Sequence, residues 1–313
     1  MELEATLGAG PQLTLRQLEL FLAAVEYSSF TAAAQHAYVT PNAVSLAVSE
    51  LERVLGVTLL VRHRARGVTT TPAGIQLAEG ARALLRQAAD LQLTVGDGGE
   101  SLSGPVALGC YSTLAPTVVP ELWERLAERH PEIELTVTEG TTDHLVGQLH
   151  EGRLDCIIAY EVALPLGLAV RRLYGARPSV ALPASHRLAG QAAVDLAELD
   201  GEPLILFDLP PSGQNTLQLL RGRGLRPRVA HRTTNFELVY SLVGRGMGFA
   251  VQYQHPGVDV SREGRRLAFR PITPQPESEP VMVAWPERLP LTSRAAAVVR
   301  LAQDCLPVDE RVR

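Results

Sequence analysis

The sequence predicts a multidomain α+β protein with a small helical N-terminal unit, a long linker helix and a larger C-terminal α/β unit. Three observations predict this architecture. Apolar side chains recur at three- and four-residue spacing over residues 15–55, a pattern typical of amphipathic helices. A second helical pattern follows residue 72, and beyond residue 105 short apolar runs alternate with helical segments. The 313 residues, of which 46% are hydrophobic and 20% charged, suffice for two or three packed units.

Three helices are predicted within the N-terminal unit, which spans residues 13–71. Thr31 is expected to cap a short second helix over residues 32–37. Thr40 and Pro41 mark the start of the third helix, because proline has no amide hydrogen to leave unpaired at the first helical position. Gly56 ends that helix. The apolar faces of the first and third helices are Leu15, Leu18, Leu22 and Val25, and Val44, Val48, Leu51 and Leu55.

Residues 57–61 and 68–70 are predicted to form two short strands around an arginine-rich loop, which together make a wing. Thr71 and Pro72 repeat the cap-and-proline signal and begin a linker helix over residues 72–95. Its apolar stripe predicts that it pairs with its twin in a dimer, and packing on its own C-terminal domain is the alternative. Residues 96–105 are rich in glycine and serine and predict a hinge.

Two helices joined by a short turn and followed by a wing make a winged helix-turn-helix, which places its second helix in the major groove of DNA. The alternative is a helical bundle that binds nothing. The net charge of −5 does not itself indicate a nucleic-acid partner. The positive charge is instead concentrated locally at Arg62, Arg64 and Arg66, and the wing favours DNA binding.

The pattern of residues 106–306 predicts an α/β domain with a parallel sheet and helices on both faces. Strands are predicted at 106–110, 133–138, 156–160, 179–183, 203–207, 229–231, 249–252, 266–271 and 281–285. Helices are predicted at 114–130, 143–150, 214–223, 236–244 and 291–305.

The N-terminal motifs resemble those of LysR-type transcriptional regulators. The matching residues are Leu15-Arg16-Gln17-Leu18, Phe21, Ser29-Phe30-Thr31-Ala32-Ala33-Ala34, Thr40 to Ser45, Leu51-Glu52, Leu55-Gly56, Arg62 and Thr71-Pro72-Ala73-Gly74. The resemblance implies a homodimer or homotetramer that binds an interrupted inverted repeat in double-stranded DNA and contacts RNA polymerase. The DNA-binding residues that it implies are Thr31, Thr40, Pro41, Asn42, Ser45, Arg62, Arg64 and Arg66.

Within that set, Asn42 is the expected base contact, because an amide can pair with adenine in both directions. Thr40 and Ser45 are expected at phosphates. Leu46 stands where the family often has a polar residue, which implies either contact with a thymine methyl or no contact.

The same resemblance implies a two-lobed, periplasmic-binding-protein-like effector domain over residues 106–306. Its first lobe would comprise about residues 106–161 and 267–306, and its second lobe about residues 162–266. Ligands of such sheets bind beyond the carboxyl ends of the strands, where helix N-termini favour a carboxylate or another small anion. The residues at those ends are Ser112, Thr113, Thr141, Thr142, Phe207, Asp208, Thr234, Asn235 and Gln252. Each could instead be only a helix cap, and Asp208 leaves a cationic ligand open.

We therefore predict a DNA-binding regulator controlled by a small organic effector, with no other cofactor. The alternative is a cytosolic binding protein or enzyme of the two-lobed fold with an unrelated helical N-terminus. No enzyme is predicted, because no nucleophile or acid–base constellation is evident. The histidines and cysteines show no metal-ligand spacing. The sequence has no export signal or membrane-spanning run, and its three cysteines suit reduced thiols, so we expect a cytoplasmic protein without membrane contact.

Overall fold

The structure of the chain is a computed structural model that describes residues 12–63, 67–96, 102–255 and 257–306. The helices of its N-terminal unit are α1 (Leu15–Tyr27), α2 (Phe30–His36) and α3 (Pro41–Leu55). Thr40 caps α3 as predicted, because its hydroxyl accepts a hydrogen bond from the Ala43 amide at 3.2 Å. Pro41 is the first helical residue, and Gly56 ends the helix in the left-handed conformation. The three helices enclose a common apolar core that includes Leu18, Phe21, Ala24, Ala33, Ala34, Val44, Val48 and Leu51.

Two details of this unit differ from the prediction. Ser29 rather than Thr31 caps α2, because its hydroxyl accepts from the Ala32 amide at 3.3 Å. Thr31 therefore lies in the first turn, where it is exposed. Leu15 and Leu55 are 42% and 40% exposed, because the first residue of α1 and the last residue of α3 extend past the core, and Ala47 joins the buried stripe of α3.

The wing consists of β1 (Leu60–His63) and β2 (Gly67–Thr70), which pair antiparallel. β1 begins later than predicted because the Glu52 carboxylate accepts hydrogen bonds from the amides of Leu59 and Leu60, at 2.8 and 3.2 Å. Gly67 has a φ of +77°, and a Cβ there would lie 2.1 Å from the Ser28 carbonyl oxygen, so glycine is required. The wing is thereby anchored to the turn between α1 and α2. Arg64 and Arg66 lie outside the described residues.

The linker helix α4 (Pro72–Gly96) begins as predicted at Thr71, whose hydroxyl accepts from the Gly74 amide at 3.0 Å. The same hydroxyl donates to the Thr58 carbonyl oxygen at 2.7 Å. Gly74 lies against the chain before the wing, since a Cβ there would be 2.2 Å from the Leu59 carbonyl oxygen. Ala78 and Ala81 are buried in the core of the N-terminal unit. The first half of α4 is therefore part of that unit.

One polar face of α4 contacts the C-terminal domain of the same chain. Arg82 donates to the Glu151 carbonyl oxygen at 2.6 Å. The Nε of Arg86 lies 3.1 Å from Asp155, and its terminal nitrogen donates to the Gly152 carbonyl. The sequence analysis left open that the linker helix packs on the C-terminal domain of its own chain, and this face of α4 does so. Leu84 and Leu91 lie elsewhere on α4 and are exposed.

The C-terminal domain has two sheets with helices on both faces. Its strands are β3 (Gly104–Tyr111), β4 (Ile133–Gly140), β5 (Cys156–Tyr160), β6 (Leu168–Ala176), β7 (Ser179–Pro183), β8 (Val194–Asp195), β9 (Pro203–Phe207), β10 (Arg228–Thr233), β11 (Ala250–Gln252), β12 (Leu267–Thr273) and β13 (Glu279–Pro286). Its α-helices are α5 (Ala115–Arg129), α6 (Thr142–His150), α7 (Ser212–Gly222), α8 (Phe236–Gly244) and α9 (Ser293–Cys305), and 3₁₀ turns cover Glu161–Ala163 and Leu196–Leu199.

The first lobe is built on the sheet β4-β3-β5-β13-β6. β3 pairs parallel with β4 and β5, whereas β13 pairs antiparallel with β5 and β6. Leu122 of α5 and Val298 of α9 pack on one face of this sheet, and Leu145 of α6 packs on the other. Both faces are therefore buried.

The second lobe joins the parallel pair β10-β9 to the sheet β11-β7-β12-β8 through a parallel bridge between Leu204 and Phe249. Leu220 of α7 packs on one face and Val239 of α8 on the other. The sheets of both lobes are thus mixed rather than purely parallel. Within the described residues, no helix is long and apolar enough to span a membrane.

The points at which the chain crosses between lobes differ from the expected boundaries, which lay at about residues 161–162 and 266–267. β6, which was not predicted, pairs with β13 in the first lobe. β12, which we assigned to the first lobe, pairs with β7 and β8 in the second. The chain therefore crosses at residues 177–178 and 274–278. Alternation along the chain predicts strands, but it does not reveal which neighbour each strand pairs with, and this explains the misassignment.

Candidate DNA-binding surface and interlobe cleft

The first turn of α3 presents an open surface. Pro41 and Asn42 are exposed, and the Asn42 side chain makes no hydrogen bond to any described residue. Its amide is therefore available to an external partner. The Thr40 hydroxyl is already engaged in the helix cap. Leu46 is also exposed, one turn further along the same helix.

Arg62 connects the wing to α3. It lies within β1 rather than in the loop, and its Nη2 donates to the Ser45 hydroxyl at 2.9 Å. The guanidinium carbon lies 4.6 Å from the centre of the Phe30 ring, which is a cation–π distance. Ser45 and Arg62 therefore form one unit, although they were predicted separately. Phe30 was not predicted to support them, and only its position in the family motif could have indicated it.

Tyr38 is a further exposed side chain beside this surface that sequence reasoning missed. It lies in the turn between α2 and α3 with a φ of 54°, and it is 95% exposed. A large aromatic residue in the left-handed conformation is uncommon outside tight turns. Because Tyr38 lies outside any helical or strand pattern, only the presence of an aromatic residue in a turn could have indicated it.

A narrow cavity lies between the two lobes. Its volume is about 10 Å³, which is room for roughly one water molecule. The lobes are joined across it by the Tyr111 hydroxyl, which donates to the Pro210 carbonyl oxygen at 3.0 Å and lies 3.1 Å from the Ser212 hydroxyl. The structure therefore describes a closed cleft. Its lining residues are Thr113, Tyr160, Phe207, Ser212, Thr216, Phe236, Val251, Gln252, Tyr253 and Gln254.

Three of the predicted effector residues, Thr113, Phe207 and Gln252, line this cavity. The polar run that continues from Gln252 to Gln254 could have extended the prediction, because it follows directly from a strand end. Phe236 could not have been found by that reasoning, since it is a helical residue that stacks on Phe207 at 3.8 Å between ring centres.

The other six predicted residues do not line the cavity. Thr141 and Asn235 cap α6 and α8, accepting from the amides of His144 and Leu238, so their hydroxyl and amide oxygens have structural partners. The Ser112 amide donates to the Gly140 carbonyl oxygen, and Thr234 is exposed. Thr142 is buried, and its hydroxyl has no hydrogen-bond partner. Asp208 forms an ion pair with Arg232 at 2.9 Å and does not line the cavity.

The cavity is electrically neutral. No described residue that lines it has a charged side chain. The Tyr160 hydroxyl accepts from Thr113 at 3.5 Å and from Gln254 at 3.4 Å, and burial raises its pKa well above the ordinary value. Burial, with a smaller contribution from Glu279, likewise raises the pKa of Tyr253 to about 12. Both phenols therefore stay protonated near neutral pH.

Gln252 is a buried polar residue of the lining, with one of its two amide atoms hydrogen-bonded. Its Oε1 accepts from the Tyr240 hydroxyl, and its Nε2 is buried with no hydrogen-bond partner. A buried donor of this kind costs about 1–3 kcal/mol when it is left unpaired. The Nε2 of Gln252 is therefore available to donate a hydrogen bond to a ligand that enters the cavity.

The three cysteines lie away from the cleft lining. Cys110 and Cys156 are fully buried in the first lobe and Cys305 is partly buried, and burial is the main cause that raises the pKa of each thiol. Reactive cysteines need the opposite shift. Among the described residues, no three His, Cys, Asp or Glu side chains are placed to bind a metal ion together.

Comparison with known proteins identifies both halves of the chain. Residues 15–75 match the family described as bacterial regulatory helix-turn-helix protein, lysR family, and residues 99–306 match the LysR substrate binding domain. The chain is 29% identical over 281 residues to the hydrogen peroxide-inducible genes activator of Pectobacterium carotovorum, which covers 88% of this chain and 91% of the relative.

Two solved structures from Pseudomonas aeruginosa have the same architecture. HinK, a LysR family transcriptional regulator, is 31% identical with a TM-score of 0.64, and the match covers 94% of this chain and 99% of HinK. A full-length OxyR variant has a TM-score of 0.73 at 24% identity, covering 96% and 100% of the two chains, which supports the fold alone.

Proposed function

Because this chain belongs to the LysR family of transcriptional regulators, we propose that it binds an interrupted inverted repeat as a homodimer or homotetramer and responds to a small molecule in its interlobe cleft. The chain is a DNA-binding transcriptional regulator with an effector-binding domain, and its relatives are regulators rather than enzymes. The observation that carries the proposal is the exposed first turn of α3 beside the Arg62–Ser45 unit. As a regulator of transcription it would act in the cytoplasm and contact RNA polymerase.

In the proposed complex, α3 enters the major groove. Asn42 reads a base edge, because its amide is exposed and has no partner among the described residues. Pro41 and Leu46 would contribute apolar contacts. Ser45 and Arg62 would approach the phosphates together, since one positions the other. Thr31, Thr40, Arg64 and Arg66 complete the proposed DNA-facing set.

The proposed domain organisation is a DNA-binding unit over residues 13–71, a linker helix over 72–95, a hinge over 96–105 and an effector-binding domain over 106–306. Exposed Leu84 and Leu91 on α4 support pairing between linker helices, because isolated apolar side chains of this size are more stable when covered. A second copy would bury them along the helix.

We propose that effector binding alters the closure of the lobes and thereby the arrangement of paired DNA-binding units. Ser112, Thr141, Thr142, Asp208, Thr234 and Asn235 remain candidates for contacts in a more open cleft, in addition to the three lining residues. A ligand shifts such an equilibrium only through its different affinities for the two arrangements. Because α4 is bound to the first lobe through Arg82 and Arg86, movement of that lobe would carry the linker helix with it.

The peroxide response in the name of the Pectobacterium relative is not supported by the thiols of this chain. Each cysteine is at least partly buried and has a raised pKa, whereas oxidation requires an accessible thiolate. We therefore propose that this regulator responds to a bound ligand and not to oxidation of a cysteine.

Gel-shift and DNase footprinting experiments with the full chain on DNA upstream of its own gene test the proposal. We expect retardation at low salt and a protected site with two related halves. Absence of retardation at low salt would contradict the DNA-binding assignment. Footprints that stay identical with and without a ligand shown to bind the cleft would contradict the proposed response.

A further inference from the structure

We propose that the interlobe cavity selects a small uncharged ligand that presents a hydrogen-bond acceptor to the side-chain amide of Gln252. This inference rests on the proposed function, because it names the class of effector for the same cleft. It differs from both sequence expectations, which were a carboxylate or another small anion and, through Asp208, a cationic ligand.

The position of the Gln252 amide carries the inference. The side chain lines the cavity and is only 4% exposed. Its oxygen is held by the Tyr240 hydroxyl, and the Tyr240 ring packs edge-on against Phe269. The carboxamide is thereby fixed with its Nε2 donor unpaired. A ligand acceptor would satisfy that donor, which no described group of the protein does.

The neutrality of the lining decides the charge of the ligand. Within the part of the chain that the structure describes, no arginine, histidine or carboxylate lines the cavity, and the Tyr160 and Tyr253 phenols stay protonated near neutral pH. Arg232, a cation of the same lobe, is paired with Asp208 outside the lining. An ionised ligand would lose its hydration in the cavity without gaining an opposite charge, which is costly.

Two helix starts and an aromatic wall complete the description of the ligand. α7 begins at Ser212 and α5 follows closely after Thr113, and neither helix has a side-chain cap. The positive ends of these helices favour a carbonyl oxygen as well as an anion, and the absence of a charged side chain from the described lining decides between the two. The stacked rings of Phe207 and Phe236 offer an apolar surface for the rest of the molecule. A small amide, ester or ketone fits this combination.

The closed cavity is too small for such a molecule, so binding is coupled to opening of the cleft. The hydrogen bonds from Tyr111 to Pro210 and Ser212 join the lobes and must break for the cavity to enlarge. The same ligand that satisfies Gln252 would therefore change the distance between the lobes.

Matched pairs of probes test the class directly. Dissociation constants of the full-length protein would be measured by ligand-observed NMR for acetamide against acetate and for benzamide against benzoate, at equal ionic strength. The members of each pair have nearly the same shape and differ in charge. We expect the amide of at least one pair to bind at least about tenfold more tightly than its carboxylate.

Two variants locate the binding. Gln252→Leu should weaken amide binding by about tenfold, because it removes the only proposed donor to the ligand carbonyl. Gln148→Leu, on α6 outside the cleft lining, should leave it unchanged. If Gln252→Leu does not fold, the comparison of amide with carboxylate on the wild-type chain still decides the proposal.

The outcomes separate this inference from the proposed function. Tighter binding of the carboxylates, lost in Gln252→Leu, would show an effector cleft of the other class and overturn only the inference. Absence of binding by every probe, or amide binding unaffected by Gln252→Leu, would also overturn it. The DNA-binding function is tested separately by the gel shift, which needs no ligand.

Discussion

Asp90 of the linker helix and Arg294 of the last helix form a buried ion pair although they are 204 residues apart in the chain. The Asp90 Oδ1 lies 3.1 Å from Arg294 Nη1, and the side chains are 13% and 4% exposed. Arg294 also donates to the Pro105 carbonyl oxygen at 2.8 Å, and Asp90 accepts from the Ser293 amide at 2.9 Å. One arginine thus joins α4, the start of β3 and α9.

Replacing Arg294 should therefore destabilise the effector domain strongly. We expect Arg294→Leu to lower the free energy of unfolding by about 3–5 kcal/mol, because the change removes the guanidinium from a buried carboxylate and also breaks the hydrogen bond to the Pro105 carbonyl oxygen. Urea denaturation of the full chain, followed by far-UV circular dichroism, would measure the change.

Arg129→Leu is the matched control. Arg129, the last residue of α5, pairs at 3.4 Å with Asp304, which lies on α9 as Arg294 does. These side chains are 58% and 63% exposed. Water screens such a pair, so the loss should be below about 1 kcal/mol. Equal losses in the two variants would contradict the importance given to burial of the Asp90–Arg294 pair.

A second prediction compares two glycines of α4. Gly74→Ala should destabilise the DNA-binding unit by about 1–3 kcal/mol, because its Cβ would lie 2.2 Å from the Leu59 carbonyl oxygen and the backbone must shift. Gly80→Ala should stabilise the helix by about 0.5–1 kcal/mol, since nothing lies within 4 Å of the added carbon. Thermal unfolding of the two variants measures both effects. A Gly74→Ala protein at least as stable as Gly80→Ala would contradict this packing of α4 against the wing.

Local signals in the sequence predicted most of the secondary structure correctly. The pair Thr40-Pro41 marked the first residue of α3, and the helix predicted over residues 236–244 has the same two ends as α8, because caps and helical periodicity act over a few residues. The choice of pairing partner for a strand depends instead on residues that are far away in the sequence. The apolar pattern of β12 predicts a strand but not the strand with which it pairs. Only its pairing with β7 shows that it belongs to the second lobe.

The same distinction explains what was found of the cleft. Thr113 and Gln252 were predicted because each lies at the carboxyl end of a buried strand, which is a local property. Ser212 and Thr216 lie on α7 and reach the cavity only because the lobes close on each other. The Arg62–Ser45 contact was missed for a related reason, since it joins two elements 17 residues apart.

Tyr253 gives a prediction about alkaline pH. Its pKa is raised to about 12, whereas an unperturbed tyrosine ionises near 10.0. The protonated form is thus favoured by the fold, so its contribution to stability is complete below pH 10.0 and is lost as the pH rises towards 12. Denaturation measured between these limits should show a falling free energy of unfolding. Tyr253→Phe should reduce the slope, and an unchanged slope would contradict the role of this phenol.

Asn42 gives a prediction about base recognition. Asn42→Ala should relax specificity at one base pair of each half-site and cost about 1–3 kcal/mol there, because the amide is the exposed group best suited to pair with a base. Binding to a set of duplexes with single substitutions would measure the change. If the variant discriminates among these duplexes as the wild type does, Asn42 is not a base contact.

Arg62 gives the final prediction, which concerns the phosphates. Arg62→Ala removes both the hydrogen bond to Ser45 and the positive charge that lies over Phe30. We expect it to weaken binding to specific and unrelated duplexes alike, by about tenfold, and to reduce the dependence of log K on log salt concentration by about 1. Arg53→Ala is the control of equal charge, because Arg53 is exposed near the end of α3 and pairs with Glu50 at 2.9 Å. If both variants changed the salt dependence equally, the effect would come from overall charge, and the assignment of Arg62 to the DNA-binding surface would be wrong.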